Sequence, residues 1–448
     1  MRRGARVGWR IACLLVAGVG VAGCETFDRL INPPDDPPLP GERISVLTLE
    51  QQTEADPRIA ALQVVLPAPY VNESWAQPGG YPDNVLHHLE VSDPVSQIWR
   101  TNAGEGSSGV GRLTAPPIIA EGRVYVLDAE GSVRAFDAQS GARLWAVDLT
   151  PEDADSREGF GGGIAYESGA IFVATGFGTV AALDTASGEQ FWVYNGGTPF
   201  RAAPAAVGGR VFAISFDNQL VALAQATGEV LWTHSGIQET AGILGSPSPA
   251  ISGDTLVVPY SSGELYALRV ENGQEIWSDT LTRTLSNTAL ANISDIVGRP
   301  VIDRGRVLAV SHAGRMVAID IRTGERVWTR SISSVQTPWV AGDFIFIVTT
   351  SAEVLALSRR DGRIRWVTQL PRFTDPIDRE GPIYWAGPVL VGDRLLLASS
   401  SRNALAVSPY SGDILAEIEI PDGAFIAPTV ANQTIYVLTD DADLLAFR

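Results

Sequence analysis

One spacing recurs along this chain and governs what it can fold into. An alanine is followed six residues later by a glycine and ten residues later by a tryptophan. The full pattern occurs at Ala135/Gly141/Trp145, Ala182/Gly188/Trp192, Ala222/Gly228/Trp232, Ala267/Gly273/Trp277, Ala318/Gly324/Trp328 and Ala356/Gly362/Trp366. A seventh copy, Ala406/Gly412, carries Ala416 in place of the tryptophan. Each copy reads as a hairpin: an apolar strand end, a polar turn closed by a glycine that supplies positive φ, and a second strand. Within a copy the spacing is fixed. Between copies the tryptophans stand 47, 40, 45, 51 and 38 residues apart. A rigid unit joined by variable loops fits that contrast, and a repeat of this period is the signature of a propeller or an array.

Each unit holds two more strands. A β-branched or alternating apolar run precedes every hairpin, as at residues 123–127, 170–174, 210–214 and 344–348. Glycine-containing turns such as Glu121-Gly122 and Gly208-Gly209 come before several of these runs. A shorter run, often opened by proline, lies further upstream, as at Pro117, Pro204, Pro249, Pro300 and Pro388. Four short strands in roughly 45 residues make a propeller blade. Seven complete units run to about residue 420, and an eighth starts near Ile426 and stops at Arg448 without its fourth strand. The missing strand lies at the other end, where residues 95–99 finish in Trp99 with no blade before them. The expected fold is therefore all-β: an eight-bladed β-propeller of four-stranded antiparallel blades. The N-terminal strand completes the last blade and removes two free edges. Trp99, Trp145, Trp192, Trp232, Trp277, Trp328 and Trp366 are expected as wedges between blades rather than as binding residues. Ala416 would leave one joint under-filled.

The segments before the propeller carry an address. Four arginines (Arg2, Arg3, Arg6, Arg10) precede an apolar run over residues 11–21, which is too short to span a membrane. The run ends in Val21-Ala22-Gly23-Cys24. It reads as a secretory signal and resembles a bacterial lipobox. That resemblance implies cleavage before Cys24 and acylation of its thiol, with Glu25 implying sorting to the outer membrane. The expected organisation is a leader over 1–23, a lipidated Pro-rich tether over 24–43, a partly irregular extension over 44–94, and the propeller over 95–448. Losing the four leader arginines takes the formal charge from −18 to −22. So acidic a chain is a poor nucleic-acid binder. Its two cysteines, Cys13 and Cys24, leave no pair for a disulfide or a haem attachment site in the mature protein.

Three further clusters invite chemistry. His87-His88 has no acid or cysteine set at ligand spacing. Asp153, Asp155 and Glu158 precede a glycine-rich run and read as a solvated acidic loop. Arg372, Phe373, Trp339 and Trp385 are candidates for an exposed aromatic and cationic surface; Trp339 and Trp385 lie outside the wedge positions, and core packing at the blade start is the commoner fate for such residues.

The Ala-x-Asp-x-x-x-Gly-x-x-x-Trp hairpin resembles the docking motif of quinoprotein propellers. Its aspartate is kept at Asp137, Asp184 and Asp320 and replaced in the other copies. Two families share the motif. The pyrroloquinoline-quinone dehydrogenases use the quinone as cofactor, usually with a Ca²⁺, and in the alcohol enzymes a vicinal cysteine pair, which this chain lacks. The outer-membrane assembly lipoproteins of the BamB family are non-enzymatic scaffolds, and lipobox, tether and short blades resemble these more closely. That resemblance implies no cofactor and no metal. It implies a BamA-type subunit as partner, with nascent outer-membrane proteins as candidates for a second. It also implies contact through blade-connecting loops, here carried over to Ile243, Leu244, Asp295 and Arg299. Leu244 stands where the family has arginine, and Val297 where it has a second acid.

Overall fold

The structure is a computed structural model that describes residues 53–109, 111–159, 161–239, 243, 245, 247–282 and 295–448. Cys24, the leader and the Pro-rich tether lie outside the described residues, as does Leu244. The Glu54–Arg448 unit contains eight four-stranded antiparallel sheets and one small hairpin, Phe373–Asp375 with Glu380–Pro382. Seven sheets are simple meanders of consecutive strands. In the eighth, Gln97–Asn102 pairs with the last strand, Asp443–Phe447. Ser96 and Arg448 extend that ladder through a reciprocal backbone pair at 2.9 and 2.8 Å. The ring is closed by its own two ends, as the repeat count predicts.

The conserved spacing builds one joint seven times over. The alanine of each copy sits directly across from its tryptophan, as in Ala222 with Trp232, and a register shift follows it. Trp99 faces Ala446 in the same way. Each indole then leaves its own blade and lies on the hairpin glycine of the next. A Cβ on Gly141, Gly188, Gly228, Gly273, Gly324, Gly362 or Gly412 would fall 2.5–2.8 Å from the preceding blade's tryptophan. These glycines also have φ between +68 and +84°, so both space and backbone demand glycine. Each indole Nε1 donates to a carbonyl of the facing turn at 2.7–3.2 Å, from Trp99 to Ala138 through Trp366 to Pro409. The burial of a ring with its N–H satisfied is what makes tryptophan the residue here. Where the motif keeps its aspartate, the carboxylate caps the turn. Asp137 accepts from the backbone of Gln139 and Ser140 and from the Ser140 hydroxyl, and these bonds hold its carboxyl below the usual range.

Ala416 does not leave a gap. It is exposed on Ile414–Glu419, an outer strand exposed along its whole length. The blade it faces is the composite one, whose third and outer strands are the two chain ends, so the turn on which a tryptophan would rest does not exist there. Wedge and socket are missing together.

The extension is more ordered in its contacts than its sequence suggests. Residues 72–90 cross the axis of the ring and bond in turn to the inner strand or inner turn of every blade. Asn72 meets Val430 and Asn432 in blade eight. Trp75 pairs with Ile119 in blade one, and the Ala76 carbonyl accepts from Tyr166 in blade two. Gln77 reaches blades two and three. The carbonyls of Pro82 and Asp83 accept from Ile251 in blade four and Ile302 in blade five. The His87 carbonyl takes the Trp339 indole N–H in blade six, and Leu89 pairs with Leu390 and Gly392 in blade seven. Inner strands expose an unpaired edge to the axis, and this plug satisfies those edges.

Candidate functional site

A four-stranded meander puts its turns on alternate faces of the ring. The hairpin face carries the glycine turns and the plug. The connector face carries the loops that lead from one blade to the next. Ile243, Asp295 and Arg299 all lie on connectors.

Asp295 is fully buried and links three of them. Its Oδ1 accepts from Arg201 Nη2 at 2.8 Å, in the connector entering blade three. Its Oδ2 accepts from the Ile243 N–H at 2.9 Å, in the connector entering blade four. Its carbonyl accepts from His312 N–H at 3.0 Å, in an inner turn of blade five. Arg201 is 4 % exposed, so both charges of the pair are out of water, where removing one partner is far more costly than removing both. Gly245 lies against Val297, whose Cγ1 would sit 2.1 Å from a Cβ placed there. Arg299 continues the seam. Its backbone N–H and its Nη1 both donate to Thr337 Oγ1 in the connector entering blade six. Burial pushes its guanidinium down to about 10. The described residues of connectors three to six are thus linked in series from Arg201 to Thr337, with half-buried Ile243 held at the seam by its backbone.

The other clusters resolve into structure. His88 is 1 % exposed; its Nδ1 pairs with the Pro67 carbonyl at 2.9 Å and its Nε2 accepts from the Asp393 N–H at 3.1 Å. Both ring nitrogens are used, and the partners specify the neutral Nδ1–H tautomer. Asp155 caps a short 3₁₀ turn, Ser156–Glu158, and pairs with Arg157. Among the described residues no three His, Cys, Asp or Glu side chains converge at metal-binding distance. Trp385 is 5 % exposed and donates to the Pro371 carbonyl, and Trp339 holds the plug. Both are therefore packing residues, the commoner fate for blade-start positions, and not part of an exposed aromatic surface. Arg372 does lie over the Phe373 ring. An aromatic patch exists elsewhere on the connector face. Tyr384 and Phe425 are exposed, with ring centroids 5.6 Å apart, and Arg112 lies over Phe425. Nearby, burial and then Asp422 push the Asp440 carboxyl up to about 6.

Comparison with known proteins follows the same lines. The model of the family described as outer membrane protein assembly factor BamB matches residues 91–158 and 129–368. The outer membrane protein assembly factor BamB of Moranella endobia is 26 % identical over 346 residues, covering 73 % of this chain and 89 % of that protein. The crystal structure of BamB from Moraxella catarrhalis superposes with a TM-score of 0.67 at 18 % identity, over 79 % of this chain and 99 % of the other. A europium-containing methanol dehydrogenase reaches the same TM-score at 12 % identity, over 84 % and 98 %. At these identities the structural likeness speaks for the fold, which enzymes and assembly factors share.

Proposed function

This chain belongs to the family of the outer membrane protein assembly factor BamB, and from that premise we propose that it is a non-enzymatic scaffold of the outer-membrane β-barrel assembly machine. In this reading it is anchored by an acylated Cys24 to the outer membrane of a Gram-negative bacterium, with the propeller in the periplasm. It binds the BamA-type subunit and assists the folding and insertion of outer-membrane proteins. The observation that carries the reading is the fastened seam on the connector face. A buried carboxylate and a buried arginine tie described positions of neighbouring connectors together, and a pre-ordered surface binds with a smaller ordering cost. Ile243, Leu244 and Arg299 are the proposed contact residues. Asp295 lies beneath Ile243 and holds its backbone N–H.

The plug supports this reading over a quinone-dependent dehydrogenase. On the hairpin face, where propellers can hold a ligand, the chain's own residues take up hydrogen-bonding groups of the inner strands. The test is affinity purification of the tagged, full-length protein from detergent-solubilised outer membranes. The expected result is stoichiometric recovery of a BamA-type subunit. Recovery of the propeller alone, together with a quinone absorbance band after incubation with pyrroloquinoline quinone and Ca²⁺, would overturn it.

A further inference from the structure

The charge of this chain is not evenly spread. Residues 301–370, blades five and six, carry ten arginines against six acids, a local excess of four positive charges in a chain whose formal net charge is −18. Most of these arginines gather on the hairpin face. Arg304 reaches from the inner turn of blade five to Asp343 in blade six at 3.4 Å. Arg359 pairs with Asp303 at 2.7 Å, and Arg306 donates to the carbonyls of Arg359 and Arg360. Arg322 is 84 % exposed, with Asp320 only at 4.0 Å. Arg360 is exposed and has no ion-pair partner among the described residues. Asp303, Asp343, Asp361 and Asp56 are each engaged by an arginine of the same patch, while Asp320, 4.0 Å from Arg322, and exposed Glu325 offset part of the charge on the blade-five turn. Arg322 and Arg360 are presented outward.

The N-terminal segment joins the ring at this same place. Asp56 N–H donates to the Ile364 carbonyl, Arg363 contacts Asp56, and Arg365 donates to the Leu62 carbonyl. Arg58, 69 % exposed, adds another positive charge beside them. Residues 25–52 separate this point from Cys24, a contour of at most roughly 100 Å. The basic patch is therefore the part of the propeller nearest along the chain to the proposed lipid.

We propose that the arginine-rich hairpin face of blades five and six is a contact surface for anionic phospholipid headgroups. A basic patch adds electrostatic attraction to anionic lipid beside a covalent lipid anchor. Guanidinium groups pair with phosphate through parallel N–H donors. The contact turns the hairpin face toward the bilayer and leaves the connector face, with its seam, directed to protein partners. The inference extends the membrane-anchored reading, but its test does not depend on acylation.

The experiment is vesicle co-sedimentation of the mature chain bearing Cys24→Ser, at low salt. The vesicles are pure phosphatidylcholine, or phosphatidylcholine with about one third phosphatidylglycerol. Binding is expected only to the anionic vesicles and is expected to be lost at high salt. The double variant Arg322→Gln/Arg360→Gln is expected to bind about 30-fold more weakly, about fivefold for each surface arginine. The control pair Arg372→Gln/Arg379→Gln, on the connector side, is expected to bind like the parent. Equal binding to both vesicle types, no loss in the double variant, or an equal loss in the control would each overturn the proposal. Because the protein carries no lipid here, it can fail while the affinity purification succeeds.

Discussion

Replacing Gln77 with leucine tests whether the plug holds the ring together. Gln77 is 3 % exposed and bridges two blades. Its Nε2 donates to the Tyr166 carbonyl at 3.1 Å and the Ala206 carbonyl at 2.9 Å, and its Oε1 accepts from the Ala206 N–H at 3.1 Å. Leucine fills nearly the same volume but satisfies none of these groups. Three backbone groups lose partners. A buried group left unpaired costs about 1–3 kcal/mol, and water entering from the open side of the mouth returns part of that. The net expectation is about 3 kcal/mol. Closed rings of this size tend to unfold irreversibly on heating, so the measurement is the urea midpoint followed by tryptophan fluorescence. Hydrogen exchange across Ala205–Val207 and Gly162–Glu167 accompanies it. The variant should unfold at lower urea and exchange faster at those two inner strands than at the outer strand Gln190–Asn195. A midpoint unchanged within about 0.5 kcal/mol, with protection of both inner strands intact, would refute a fastening role for the plug.

Other perturbations follow from the joints and the buried charges. Gly228→Ala places a Cβ 2.5 Å from Trp192 at a φ of +73°, so a loss of more than about 2 kcal/mol is expected in the same urea assay. Ala416→Trp, on an exposed strand facing a joint with no socket, should change stability by less than about 0.5 kcal/mol. Trp232→Ala, at a complete joint, should cost about 3–5 kcal/mol. Asp295→Ala leaves Arg201 buried without its carboxylate and should cost about 3–5 kcal/mol, with much of that recovered in Asp295→Ala/Arg201→Met. Asp440 has a folded-state carboxyl raised to about 6, so the native state binds the proton more tightly than the unfolded chain. Its contribution is present in full below about pH 4 and is lost as pH rises through about 6. Asp440→Asn should therefore match the parent at pH 4 and exceed it by about 1 kcal/mol at pH 8, after allowance for partial solvent screening.

The propeller was legible because its information is periodic. An alanine, a glycine and a tryptophan at fixed offsets state the same pattern six times, and the stray Trp99 states how the ring closes. The exception at Ala416 was legible as an exception but not in its cause. Its explanation is topological: the socket is absent because that turn is where the two chain ends meet. The plug left no such trace. Its partners are the free edges of seven inner strands or turns and the Trp339 indole of the remaining blade, spread over 300 residues, so Asn72 and Gln77 follow the spacing of the ring's inner wall rather than a period of their own. The one local sign was buried-type polar residues around Gly79 and Gly80 in a segment with no amphipathic pattern. Trp339 and Trp385 stood apart in sequence for a related reason, since their positions outside the wedge spacing reflect contacts with the plug and a connector. The seam around Asp295 was found through resemblance alone, and its buried partner Arg201, a lone arginine in a connector, gave no signal in sequence.

The most direct test of the account is site-specific photo-crosslinking in intact cells, with the reactive residue placed in turn at Ile243 on the connector seam and at Thr323 on the hairpin face. The account predicts an adduct with a BamA-type subunit from position 243 and none from position 323. An adduct from 323 alone, or none from either position in cells where the protein is folded and abundant, would contradict it.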